Sequence, residues 1–314
     1  MKIPSPHELA LTAYYYATLH ARRREAIMRA GQFREAVRIL FYHRVANDSP
    51  NPWTISTSAF AAQINWLRSR FDLVSLAEAQ ERIDCHRNRF PTACITFDDG
   101  YAENLRFAIP LLLKHKIPCT YFVATDFVTH GKPFPHDTAA RRPLPVHTLS
   151  EIRDLAAAGV EIGAHTRTHA NLGGELSPER LVSEIVGSKR DLEAAIGKPV
   201  RYFAFPYGQH ENLSATAFRV AYAAGFAGVC SAYGGYNWPG DDAFHLRRFH
   251  ADEAFIRFMN WMTVDSRKVR LQHDFDPGDF RTAVATESCR EANIAELVAS
   301  GAAQMAAAAP VIVE

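Results

Sequence analysis

No stretch of the 314 residues approaches the roughly 18 consecutive apolar positions that a membrane-spanning helix needs. The opening residues also lack a secretory pattern. Arg22, Arg23 and Arg24 follow the modest apolar run around Tyr14 to Leu19, where small cleavage-site residues would stand. The expectation is a cytoplasmic protein without a transmembrane segment, whose basic N-terminal helix reads first as a solvated face packing on the domain and otherwise as a peripheral membrane or partner contact. An excess of charge of either sign is missing too. With 35 basic against 34 acidic side chains the net charge is +1, and no global field recruits nucleic acid. Cysteine is scarce and odd in number. Three of the five (Cys94, Cys119, Cys230) fall in apolar, strand-like runs, which excludes a disulfide framework or zinc ribbon and points to reduced core thiols.

What is present is alternation. After an apolar run at 37–42, further runs at 93–97, 119–124, 160–164, 201–205, 226–231 and 245–249 are separated by helical periodicity. Thr148 with Glu151 forms a capping box, and Ser177-Pro178-Glu179 starts a helix that stops at Gly197. Seven strands separated by helices imply an α/β fold with a mainly parallel sheet and right-handed crossovers, either closed as a barrel or open and doubly wound, and the placement of polar residues favours the barrel. His43, Asp98 with Asp99, His165, Tyr207 and Arg248 all stand at or just after the carboxyl end of a strand. In a β/α barrel those ends share the face on which active sites are built. The expected organisation is a basic helical extension over 1–36, a catalytic domain over 37–262 and a C-terminal extension over 263–314, with an Ala-rich peripheral helix or frayed end at 295–309.

Two adjacent carboxylates, Asp98 and Asp99, end the strand in TACITFDDGYAEN (92–104). Like charges at the end of a buried strand require a cation, a shared proton or water. In GVEIGAHTRTH (159–169), His165 and His169 are spaced so that both imidazoles can share one side of a turn. Two imidazoles and one carboxylate, here Asp99, are a common three-ligand set for a catalytic divalent ion. Alone, the histidine pair also suits surface or capping roles. In RYFAFPYGQH (201–210) a strand runs into Pro206-Tyr207-Gly208, a plain connecting loop or one that aims a backbone N–H into a cleft.

ITFDDGY (95–101), HTRTH (165–169) and FAFPYG (203–208), in this order, closely resemble the motifs of the polysaccharide deacetylases, carbohydrate esterase family 4 with its NodB homology domain. The resemblance covers Ile39 to Phe249. It implies a distorted (β/α)7 barrel, a divalent metal that is usually zinc (cobalt, nickel, iron or manganese otherwise), and hydrolysis of N- or O-acetyl groups on an acetylated glycan, a carbohydrate polymer or lipid-linked saccharide. It further implies Asp98 as general base, Asp99, His165 and His169 as metal ligands, and the Tyr207 N–H as oxyanion donor.

One position departs from the family pattern: Ala204 stands where an Arg usually partners the base. Arg248 is the candidate replacement. The general acid expected by resemblance to the biofilm poly-N-acetylglucosamine deacetylases is His43, in an early Tyr-His, with His250 and His273 as rivals. The missing Arg also leaves open a carbohydrate-binding barrel without catalysis. A metal-free relative that hydrolyses cyclic amides is the other competitor, although it usually lacks the complete triad found here. The Pro-rich insertion 129–145 either overhangs the site or decorates the surface. The loop Tyr233 to Trp238 reads as a sugar-stacking surface on the site face or as a packed loop core.

Overall fold

The computed structural model of the protein describes residues 5–281. A strand forms at each of the seven apolar runs: β1 (Val37–Tyr42), β5 (Thr92–Phe97), β6 (Cys119–Val123), β7 (Glu161–Ala164), β8 (Tyr202–Ala204), β9 (Gly228–Cys230), and a last strand split into β10 (His245–Leu246) and β11 (Phe249–His250). Three two-residue strands join them: β2 (Arg44–Val45), β3 (Thr54–Ile55) and β4 (Asp72–Leu73). All pairings between named strands are parallel, and the main sheet runs β10-β9-β8-β7-β6-β5-β1-β11. Its two ends are consecutive pieces of one strand separated only by Arg247 and Arg248. The chain itself therefore bridges the ends of the curl, giving the (β/α)7 type of barrel that the sequence implied.

Side chains alternate across the barrel wall, as the two-residue period of a strand requires. Leu40, Tyr42, Ala93, Ile95, Phe97, Tyr121 and Phe203 join the large core between sheet and helices. Val37, Ile39, Cys94, Phe122, Tyr202, Ala204, Cys230 and Leu246 form the separate inner core. Cys85, Cys94, Cys119 and Cys230 are free thiols, the last three buried; Cys289 and the expected tail helix at 295–309 lie outside the described residues. The capping box at Thr148 and the helical stop at Gly197, in a left-handed conformation, appear as the sequence indicates.

The N-terminal helix α1 (Pro6–Gly31) opens on a Ser5–Glu8 capping box and lies against the helix Phe255–Met262. Arg22 is the anchor: it is buried, bonds Asn260 and Thr263, and pairs with Asp265 at 3.1 Å. Among the described residues no helix is long and apolar enough to cross a membrane.

Burial leaves some histidines without the water a cation needs. It pushes His147 down to about 4 despite Glu151, His245 to about 3 with Arg247 adding to the fall, and His250 to about 4 with His43 adding to it. These values lie below the ordinary 6.5, so the unfolded chain binds more protons through this window, and stability falls as pH drops from about 6.5 to about 4. Each such histidine contributes a slope of about 1.4 kcal/mol per pH unit inside its window. Denaturation midpoints measured across this range are expected to fall steeply, and a flat profile would contradict the burial argument.

Candidate metal centre and catalytic site

Strand period places the first candidate carboxylate. Cys94, Thr96 and Asp98 follow one another at every second position on the inner face of β5, so Asp98 ends a column that begins in the inner core. Leu246 and Arg248 are likewise two apart. Arg248 therefore points inward, fully buried, and its guanidinium lies over the rings of Phe41 and Phe122 at 5.0 and 5.1 Å. It grips both oxygens of Asp98 at 2.7 and 2.8 Å, donates to Thr96 Oγ1 at 3.0 Å and donates through Nε to the Ser231 carbonyl at 3.0 Å. Burial works to raise the Asp98 carboxyl. The Arg248 charge and hydrogen bonds, together with His165, outweigh it and hold the group below the usual carboxylate range.

Asp99 turns away from that column because its backbone is left-handed, with φ of 75°. Thr166, His169 and Tyr207 adopt φ of 61°, 56° and 62° in the two neighbouring loops. Such backbone is uncommon for residues with side chains and concentrates at sites whose surroundings enforce it. Gly208 is required beside Tyr207, because at φ of 61° a Cβ would approach the Ala232 nitrogen to 2.7 Å.

These turns bring Asp99, His165 and His169 together, with one donor atom from each lying within 4.8 Å of the others. His165 Nε2 and His169 Nε2 stand 3.5 and 3.2 Å from Asp99 Oδ1. His165 donates its Nδ1–H to the Ala204 carbonyl at 2.8 Å, so its Nε2 carries a lone pair. Asp99 Oδ1 is buried and accepts no well-aligned hydrogen bond. Burial opposes ionisation of Asp99, but the imidazoles of His165, His169 and His43 hold its carboxyl well below the ordinary range. Lone pairs facing an orphaned carboxylate oxygen fit a divalent cation, which would satisfy all three at once.

His43 lies on the other side of Asp99, its Nε2 3.9 Å from Oδ2. Its ring packs near Trp53 (4.9 Å) and Phe41 (5.6 Å). Burial lowers its pKa, with Asp99 and Asp98 pulling the other way. His250 stands one ring away, 6.2 Å from His43 and beside Phe41 and Trp53, with no ion pair to Asp99. His273 is exposed and far along the surface, beside Trp261 and Leu271. The Tyr207 ring meets His169 edge-on at 4.9 Å, and among the described residues its amide has no backbone acceptor.

The insertion packs against the site. Phe134 is buried, stacks on Phe127 at 4.2 Å and meets the His169 ring at 5.4 Å. Asp137 accepts from Tyr101 and Asn51, tying the insertion to the loop that carries Trp53. The loop Tyr233 to Trp238 takes the packed alternative. Tyr236 and Asn237 are buried, and Asn237 exchanges backbone bonds with Val37 at the start of β1, away from the site face. The sugar-stacking reading is therefore corrected for Tyr236 and Asn237: Val37 and Arg247 pull this segment across the barrel wall.

Sequence reasoning missed Glu184. It sits buried in a single π-helical turn, Ser183–Gly187, accepts the amides of Arg167 and Thr168 at 3.0 and 2.9 Å, and accepts the Thr168 hydroxyl at 2.7 Å. It braces the loop that carries both imidazoles. A π-turn inside a helix is a frequent mark of a functional position, but its sequence carries no distinct signal.

Residues 86–229 match the family model described as polysaccharide deacetylase. The YxkH protein of Bacillus subtilis is 27% identical over 179 residues, 55% of this chain and 57% of that protein. A poly-beta-1,6-N-acetyl-D-glucosamine N-deacetylase of Staphylococcus aureus is 27% identical over 166 residues, 50% of this chain and 54% of that one. The chain thus spans about half the length of these curated relatives. The solved structure of IcaB from Ammonifex degensii is similar with a TM-score of 0.61 and 25% identity, over 73% of this chain and 97% of that one.

Proposed function

We propose that this chain is a polysaccharide deacetylase, a hydrolase that removes N-acetyl groups from a glycan containing N-acetylhexosamine; the match of residues 86–229 to the polysaccharide deacetylase model supports this reading. The observation that carries this reading is the division of labour at the end of β5: Asp98 is gripped by Arg248, while Asp99 faces two imidazoles.

Asp99, His165 and His169 are the ligands of the divalent ion, with zinc the first candidate. When bound, that ion supplies a Lewis acid that acidifies water and polarises an acetyl carbonyl. Asp98 receives the proton of the attacking water on a lone pair that Arg248 leaves open, since a carboxylate offers about four acceptor sites. The Tyr207 N–H is free to donate to the developing oxyanion, a contribution of about 3 kcal/mol for one such donor. His43 delivers a proton to the departing amine from Nε2. Its place beside Asp99 supports it over His250, which makes no ion pair with Asp99, and over the exposed His273.

The reading as a binding barrel without catalysis drew its weight from Ala204. Arg248 reaches the same carboxylate from another strand and removes that ground. The cyclic-amide reading has no support from a site that keeps all three ligands.

Acetate release from N-acetylglucosamine oligomers tests the proposal. Chelated protein is expected to be inactive, to recover with one equivalent of zinc or cobalt, and to lose that recovery in His165→Ala. Fully metal-loaded protein that binds the oligomers yet releases no acetate would overturn it.

A further inference from the structure

A groove of about 520 Å³ opens beside His250, whose ring centre lies 6.2 Å from that of His43. It runs between His7 and Leu11 of α1 on one side and Gly234 on the other, and reaches Trp261 and Lys268. A second hollow of about 240 Å³ continues it past Lys268 to His273. Gly234 keeps the passage open at its middle, since at φ of 93° a Cβ would come within 3.0 Å of the Trp261 ring.

Charge along this groove is unbalanced. Asp252 and Arg257 pair at 3.2 Å and cancel. Among the described residues Lys268 has no ion pair or hydrogen bond. Its ammonium instead lies 3.1 Å from the centre of the Trp261 ring, which is itself stacked on Phe249 at 5.0 Å. Asp265, three residues back, is engaged by Arg22 and the Tyr14 hydroxyl. Burial pushes the Lys268 ammonium down to about 7, with Asp265 opposing and Arg22 adding to the fall. A part-buried cation without a counter-charge, held on an aromatic ring in an open groove, is a seat for an anion.

We propose that this groove seats a glycan bearing an acidic group, carboxylate or phosphate, on a sugar beyond the one being deacetylated, with Lys268 as its counter-charge. The inference rests on the deacetylase reading and sharpens its substrate class. Deacetylation leaves an amine that is protonated at neutral pH, so a polymer already stripped of acetyl groups is a polycation. An unpaired lysine beside the site repels such a chain and favours one whose other sugars are acidic.

Three tetrasaccharides test this: one alternating glucuronate with N-acetylglucosamine, one joined through phosphodiesters, and neutral N-acetylchitotetraose. One or both anionic forms are expected to show KM about ten-fold below that of the neutral one, the size of one charge-assisted contact. The form that gains identifies carboxylate or phosphate as the partner. Lys268→Gln is expected to erase the advantage with kcat and the neutral KM unchanged, and Lys268→Arg to restore it. Calorimetric binding of the same three saccharides is read separately, so an absence of turnover would sink the deacetylase reading while the groove still stands or falls on affinity. Equal affinity for all three, or an equal loss for all three in Lys268→Gln, would overturn the inference.

Discussion

Arg248→Ala is expected to destabilise the protein by about 3–5 kcal/mol, the usual cost of removing one partner from a buried ion pair. The guanidinium is fully buried, lies over the Phe41 and Phe122 rings and makes four hydrogen bonds, two of them to Asp98. Its loss leaves a cavity and an uncompensated carboxylate together. Burial is the largest influence on Asp98 and works to raise its pKa, with Arg248 the main counterweight. Without it the carboxyl moves up, and the acidic limb of the kcat/KM profile moves to higher pH. In the wild type the folded-state pKa is depressed. The stability it confers is therefore present above the unfolded value near 3.9 and is lost as pH falls through the folded one. The gap between wild type and variant should then be widest at neutral pH and shrink in acid. Arg248→Lys keeps the charge but not the two-pronged grip, so it should recover part of the stability. Guanidinium denaturation at several pH values, with the rate profile alongside, would refute the pairing argument if neither quantity moved.

Asp98→Asn should lower kcat by about 10²–10⁴-fold, the range expected for a general base, while metal content stays at one equivalent. Asp98 is not among the three clustered ligand residues, so metal retention separates its role from that of Asp99. Asparagine keeps the shape of the side chain but turns an N–H toward the guanidinium, which adds a stability cost of about 1–3 kcal/mol. Acetate release at saturating metal, with zinc measured in the same samples, distinguishes a lost base from a lost site. A variant that lost its metal would contradict the division between the two aspartates.

Much of this was legible because strands announce themselves by apolar runs, and several runs here lead directly into a polar residue (His43, Asp98, His165) that the barrel collects on one face. Arg248 could be named as the partner of Asp98 for that reason, even though Ala204 breaks the usual pattern. Two-residue strands such as β2 and β3 were not legible, since so short a segment has no period to detect. Glu184 was hidden for a different reason. Its helix reads as one continuous segment to Gly197, and the extra residue per turn that aims its carboxylate at Arg167 and Thr168 leaves no trace in composition. The loop at 233–238 stayed open between two readings because aromatic residues suit both sugar stacking and packing. Only the Asn237 bonds to Val37 and Arg247 decide between them.

The split last strand makes the order of folding matter for activity. Leu40 pairs with Phe249 across most of the domain's length, and Leu246 pairs with Cys230 on the opposite side, so this strand has to satisfy both flanks within six residues. Pairings so distant in sequence form slowly, because loop-closure entropy is spent before the contacts return it. Arg248 lies between the two halves, so Asp98 acquires its partner only when the seam shuts. A molecule with the other strands assembled and the seam ajar would have Asp99, His165 and His169 in reach of one another but an unguided Asp98. Recovery of turnover during refolding should consequently lag behind recovery of secondary structure, which makes catalysis a late reporter of ring closure.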